Sequence, residues 1–141
     1  MLRFAVLAAA VLIGLASIAC QSYSTGIQQG VTRADETAAL GALRTIATVQ
    51  QTYSVSNGGN YGTFQQLVAG EYLDSRFNSE KPALRDYVLT MSTGNDSSGP
   101  YYHCNADPIP PKEGRHFYID SSASGLHFNP TQPASASDPP L

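Results

Sequence analysis

The chain has 141 residues, of which 13% are charged and 42% are hydrophobic, and its formal net charge is −3. This length has room for one small domain. Eight basic residues are outnumbered by eleven acidic ones, so there is no excess of positive charge to attract nucleic acid phosphates. We therefore expect no nucleic acid partner.

An almost wholly apolar run, residues 2–19, opens the chain, and Arg3 is its only charged residue. A basic start, an apolar stretch and small residues near its end are typical of an export signal. As a helix, the uncharged stretch from Phe4 to Ala19 would be about 24 Å long, which is short for a bilayer core of ~30 Å. We expect residues 1–19 to be a cleaved signal peptide, and the alternative is a leader retained as a membrane helix.

The residue after this run is Cys20, for which three interpretations stay open. The sequence Ser17-Ile18-Ala19-Cys20 resembles the signal of bacterial lipoproteins, in which a small residue precedes a cysteine that becomes acylated. Ser17 stands where Leu, Val or Ile is usual. An ordinary signal peptidase could instead leave Cys20 unmodified, or Cys20 could form a disulfide with Cys104 in an oxidising compartment. We favour acylation, because a cysteine at the end of a leader, where the terminus is otherwise untethered, is a poor structural staple. Acyl chains contribute ~0.8 kcal/mol per buried CH₂ and would anchor the protein to a membrane.

Residues 20–31 are polar, contain two glycines and lack helical apolar spacing, which predicts a flexible tether. Thr32 with Asp35 fits a capping box and predicts a helix start. This helix should end near Ser56, before the glycines that follow. Apolar residues recur along it at spacings of three and four, namely Ala39, Leu43, Ile46, Val49 or Gln50, and Tyr53.

The rest of the chain predicts short elements. Thr63 can cap a second helix that stops near Gly70. Strand character appears at residues 87–91, 101–106, 116–120 and 126–128, with a turn-rich stretch at residues 92–100. Residues 129–141 contain four prolines and are predicted to be a disordered tail. The fold class is therefore α+β for residues 32–128, one long N-terminal helix packed on a three- to four-stranded antiparallel sheet.

Several short stretches of this domain resemble the globular domain of bacterial type IV pilins and pseudopilins. They are residues 43–46 (LRTI), 48–50 (TVQ) with Tyr53, 61–63 (YGT) with Leu67, 87–90 (YVLT), 106–108 (ADP), 115–120 and 122–126. The resemblance implies a pilin-like fold with a role in protein–protein interaction. The resemblance does not extend to the N-terminal part of the chain. Such pilins have a processing site there and a glutamate in an unbroken apolar helix, and this sequence has neither the site nor the glutamate. We therefore expect a pilin-like domain on a tether.

The three histidines lie on predicted strands and, with Cys104, are candidate ligands for a metal. His103 and Cys104 are adjacent, so on a regular strand they point to opposite faces. His116 and His127 would lie opposite each other across a hairpin. We therefore interpret the histidines as surface residues and expect no metal and no cofactor.

Cys104 beside a histidine also suggests a nucleophile, but the strand alternation separates the two and favours a buried thiol. Four aspartates, Asp86, Asp96, Asp107 and Asp120, are scattered in predicted turns without the alternation of a calcium loop. Six aromatic residues are expected in the core or in cross-strand pairs, with some on the outer sheet face, where an exposed patch would mark a partner surface. These are Tyr87, Tyr101, Tyr102, Phe117, Tyr118 and Phe128.

The sequence thus predicts a non-enzymatic, exported envelope protein, located in the periplasm or at the outer membrane and lipid-anchored through Cys20, with protein partners in the envelope. One alternative is a minor pseudopilin of a type IV pilus or type II secretion system whose leader is retained. Another is a small periplasmic enzyme or metal-binding protein using His103, Cys104, His116 and His127.

Overall fold

The computed structural model describes the backbone of residues 2–122 and 125–141, and the side chains of residues 26–122 and 125–141. Helix α1 spans Leu2–Ser56 and helix α2 spans Phe64–Ala69, and one 3₁₀ turn covers Ser75–Phe77. The strands in this described part are β1 (Ala83–Leu84), β2 (Tyr87–Asp96), β3 (Gly99–Pro108), β4 (His116–Asp120) and β5 (His127–Asn129).

The five strands form one sheet in the order β1-β2-β3-β4-β5, and every neighbouring pair is antiparallel. The predicted α+β class is therefore confirmed, with a two-residue strand added at one edge. The predicted turn is confirmed only at residues 97–98. It is wrong for the flanking residues, because β2 continues to Asp96 and β3 begins at Gly99. Pairing along the whole hairpin supplies backbone partners that outweigh the turn preference of these residues.

Contacts divide the chain into two compact units, Met1–Ala34 and Asp35–Leu141. In the first unit, α1 includes residues 20–31, so the predicted flexible tether is wrong. Thr32 is not a helix cap either, because its hydroxyl donates to the carbonyl oxygen of Gln28, 3.1 Å away. Extending an existing helix needs only propagation, and glycine costs ~1 kcal/mol against alanine, far less than proline.

The core of the second unit lies between α1 and one face of the sheet, which we call the inner face. Leu43 and Ile46 of α1 are fully buried there, in one cluster with Leu89 of β2 and Phe117 of β4. The predicted helical stripe is confirmed, and it continues at Gln50, which is buried, in place of Val49. The helix end near Ser56 and the Thr63 cap of α2 are also confirmed.

Gln50 joins α1 to the loop before α2. Its amide nitrogen donates to the carbonyl oxygen of Gly62 at 2.7 Å, and its amide oxygen accepts from the Gly62 N–H at 2.9 Å. Gly62 is itself buried, and a Cβ there would lie 3.1 Å from the Tyr53 ring. The pair of hydrogen bonds therefore satisfies four buried polar atoms at once, two from the Gln50 side chain and two from the Gly62 backbone.

Two carboxylates on α1 form ion pairs with distant residues. Glu36 accepts from both Nε and Nη2 of Arg115, at 3.2 and 2.9 Å, and from the Arg115 backbone N–H at 3.0 Å. Asp35 is buried and lies 3.4 Å from the Arg85 guanidinium. The predicted capping-box role of Asp35 is therefore wrong, and its carboxylate instead pairs with Arg85 across the domain.

Residues 129–141, predicted to be disordered, fold back on β5 and on the sheet face that α1 leaves uncovered, which we call the outer face. The Phe128 N–H donates to the carbonyl oxygen of Pro139, and the Leu141 N–H donates to that of Leu126. Ala134 is 4% exposed, and its carbonyl oxygen accepts from the Asn105 side chain at 2.7 Å. The prediction of disorder is wrong, because these hydrogen bonds compensate for the low apolar content.

We expect Gln50→Ala to lower the free energy of unfolding by about 2–4 kcal/mol, because the buried N–H and C=O of Gly62 lose their partner. Gln51→Ala is the matched control, since Gln51 is exposed, and should change it by less than about 0.5 kcal/mol. Urea denaturation measures both. Equal losses in the two variants would contradict the role given to Gln50.

The tail should loosen in acid. Hydrogen bonds from the Asn129 side chain and from the backbone and hydroxyl of Ser135 hold the pKa of Asp138 below its ordinary value of 3.8. A depressed folded pKa stabilises the native state above the ordinary pKa, and this contribution is lost as pH falls through the folded pKa. Amide exchange should therefore show lower protection factors at Phe128 and Leu141 at pH about 2 than at pH about 6.

Asp138→Asn should remove the same protection at neutral pH, whereas Asp74→Asn, another exposed carboxylate with a lowered pKa, should leave it unchanged. Full protection of both amides in Asp138→Asn would show that the carboxylate does not hold the tail.

Candidate functional site

The predicted lipidation residue, Cys20, and the predicted signal peptide, residues 1–19, lie outside the residues whose side chains are described. Acylation of Cys20 therefore stays a prediction. Across residues 26–122 and 125–141, the structure has no helix long and apolar enough to cross a membrane.

The three histidines all lie on the outer face, but each has a different environment. His103 is half-buried and points away from its neighbour Cys104, as predicted. The His116 Nδ1 lies 2.6 Å from a carboxylate oxygen of Asp107. The His127 Nδ1 lies 2.6 Å from the carbonyl oxygen of Asp138, so it must carry the proton of this hydrogen bond.

Two predictions about these histidines are wrong. His127 is only 7% exposed, because the folded tail covers it. It lies opposite Tyr118 and not His116, which is opposite Asn129. In the part of the chain whose side chains are described, no group of three or more His, Cys, Asp and Glu is arranged to hold a metal ion.

Cys104 is a free thiol with no exposed surface, in the inner-face core. Burial raises the pKa of this thiol far above its ordinary value, with a smaller contribution from Asp107. The thiolate is the reactive form of cysteine, so a neutral, enclosed thiol is a packing group. The interpretation of Cys104 as a buried thiol is confirmed.

Three aromatic rings form a row on the outer face. The rings of Tyr101 and His103 are near-parallel, with centroids 6.2 Å apart and an interplanar angle of 4°. The next ring is Tyr118, 6.1 Å from His103 and tilted by 22°. All three are half-buried. A Cβ on Gly94 would lie 2.8 Å from the Tyr101 hydroxyl oxygen, so the glycine makes room for the ring across the strand pair.

A carboxylate adjoins this row. Asp120 is paired directly with His103 across β3 and β4, and residues so paired share a face. Its carboxylate accepts from the Tyr118 hydroxyl at 3.1 Å and from the Ser122 backbone N–H at 2.9 Å. Burial, then the charge and hydrogen bond of Asp120, raises the pKa of Tyr118 to about 12, so this phenol is neutral at physiological pH.

Charge is segregated around the outer face. Strands β2, β3, β4 and β5 contain no lysine or arginine, and each of their aspartates, Asp96, Asp107 and Asp120, falls on an outward position of the alternation. The prediction that these three lie in turns is therefore wrong. Asp86 does lie in the β1–β2 turn, 3.1 Å from Lys112. The alternation signal was present in the sequence but becomes usable only once the strand ends are known.

A cleft of about 560 Å³ lies on the opposite side, between α1 and the residues leading to β1. Its floor is formed by small residues of α1, and its walls include Tyr72, Leu73 and Phe77. The charges at its rim balance, because Arg76 pairs with Asp74 and Arg85 pairs with Asp35. No local sequence pattern indicated this cleft, since its lining comes from three separate segments.

In comparisons with known proteins, no family model, no curated protein and no solved structure matches this chain.

Native protein should resist alkylation at Cys104. We expect no labelling of Cys104 by iodoacetamide at pH 8 in the folded state and complete labelling in denaturant, because only unfolding exposes the thiol and restores its thiolate. Peptide mass spectrometry separates Cys104 from Cys20. Labelling of native Cys104 at the rate of a small free thiol would contradict the buried position.

Proposed function

We propose that the protein is a non-enzymatic component of the bacterial cell envelope, exported through its leader, anchored by an acylated Cys20 and acting by binding protein partners. The observation that carries the binding role is the outer face, because α1 covers only the inner face of the sheet. Half-buried rings and carboxylates remain on the other side. Aromatic residues at solvent-facing positions are enriched in protein interfaces.

The location of the protein is inferred from residues 1–20. An apolar run that stops at a cysteine resembles the signal by which bacterial lipoproteins are exported and acylated. Several acyl chains can hold a protein at a membrane without a spanning helix. Protein partners within the envelope then follow from the location together with the outer face.

A second candidate is a minor pseudopilin that keeps its leader as a membrane helix. One observation favours it, since α1 runs from Leu2 to Ser56 without the break predicted at residues 20–31. In that case the pilin-like resemblance would extend into a continuous stem, although the leader contains no glutamate.

The mass of the mature N-terminus distinguishes the two candidates. In membrane-extracted protein we expect residues 1–19 to be absent and Cys20 to carry acyl chains. Cys20→Ser should release the protein from the membrane fraction, whereas the matched variant Cys104→Ser should leave it anchored, because Cys104 is enclosed in the core. An N-terminus that retains residues 2–19 with unmodified Cys20 would contradict the lipoprotein proposal and support the pseudopilin.

A further inference from the structure

We infer that the outer face binds an extended, arginine-bearing segment of a partner protein. This inference rests on the proposed binding function and names the chemistry of the partner. It concerns the row Tyr101, His103 and Tyr118 with the adjacent Asp120.

The outer face is complementary in charge to a basic partner. The face presents Asp96 and Asp120, while its third carboxylate, Asp107, already pairs with His116 at 2.6 Å. Its own strands contribute no lysine or arginine. The lysines and arginines that the structure describes belong to α1 or to connecting segments, namely Arg33, Arg44, Arg76, Lys81, Arg85, Lys112 and Arg115. A partner with positive charges is attracted to such a face, and one with negative charges is repelled.

The rings favour arginine over lysine. A guanidinium is planar, stacks on aromatic faces and donates to carboxylates in a fork, whereas an ammonium acts as a point charge. The fold already uses this mode once. The guanidinium carbon of Arg115 lies 5.4 Å from the ring centroids of both Phe117 and Phe128, while its nitrogens donate to Glu36. The outer face has the same combination of rings and a carboxylate, but its strands contain no arginine that could stack on these rings.

The spacing of the rings favours an extended segment. Successive ring centroids are 6.2 and 6.1 Å apart. Side chains two residues apart on an extended chain point the same way and lie about 6.6 Å from each other. Alternate arginines of one extended segment can therefore lie over successive rings of the row.

The partner is expected to lie on the face and not at the β5 edge. Residues 138–141 already pair with β5, through hydrogen bonds of Phe128 with Pro139 and of Leu141 with Leu126. The cleft beside α1 is a weaker candidate for a charged partner, because its rim charges balance in two ion pairs.

The test measures binding of short peptides to the purified full chain in detergent at neutral pH by isothermal titration calorimetry. The probe is a peptide in which arginine alternates with serine. Its matched forms carry lysine or glutamate at the same positions, and an uncharged oligosaccharide tests the aromatic row as a glycan platform. We expect the arginine peptide to bind most tightly, the lysine peptide less tightly and the other two not at all.

Variants locate the binding site. Asp120→Asn and Tyr101→Ala should each lower the affinity for the arginine peptide about 5- to 10-fold. Glu80→Gln removes one negative charge at an exposed position before β1 and should leave the affinity unchanged. Thermal melts of each variant confirm that the fold is kept, and Asp120→Glu should restore binding in part.

Three results would overturn the inference: no binding of the arginine peptide, equal weakening by Asp120→Asn and Glu80→Gln, or tighter binding of the oligosaccharide or the glutamate peptide. The state of Cys20 is read by mass in the same sample. If the protein is acylated but does not bind the arginine peptide, only the inference about the partner is refuted. If the protein binds the peptide but is not acylated, only the proposed lipid anchor at Cys20 is refuted.

Discussion

A single helix can cover only one face of a five-stranded sheet, and this limit determines how the two faces differ. The apolar stripe of α1 places Leu43 and Ile46 against Leu89 and Phe117, so the inner face becomes the dry core. The outer face must then meet solvent, the tail or a partner. Its polar and aromatic composition, and the burial of Cys104 on the other side, follow from this division.

Polar contacts fix the helix on the sheet. Glu36 and Asp35 pair with Arg115 and Arg85, and Gln50 holds the loop before α2. Both guanidinium nitrogens of Arg115 donate to Oε2 of Glu36, and the Arg115 backbone N–H donates to Oε1. These charge-assisted hydrogen bonds are partly buried, which makes the pair stronger than an exposed one. These contacts lie along the part of α1 in the second unit, so the helix cannot rotate without breaking them. The fixed position of α1 therefore determines which face of the sheet is covered and which is left open.

The sequence predicted the elements whose signals are local. The helical stripe, the Thr63 cap and the residues of β4 follow from spacing and side-chain chemistry within a few positions. Several failures involve distant partners. Asp35 and Glu36 pair with residues 50 and 79 positions away, and the tail depends on contacts such as Asn105 with Ala134. Alternation could indicate that Tyr101 and Asp120 point outward, but the ring spacing and the burial of His127 require the assembled sheet.

Two adjacent tyrosines allow the outer and inner faces to be compared in one experiment. Tyr101 belongs to the outer face and is half-buried, while Tyr102 belongs to the inner face and is 4% exposed. Hydroxyl-radical footprinting of the native chain, read by mass spectrometry, reports both from one peptide. We expect Tyr101 to be oxidised several-fold faster than Tyr102. Equal oxidation of the two, or faster oxidation of Tyr102, would contradict the division into a covered inner face and an open outer face.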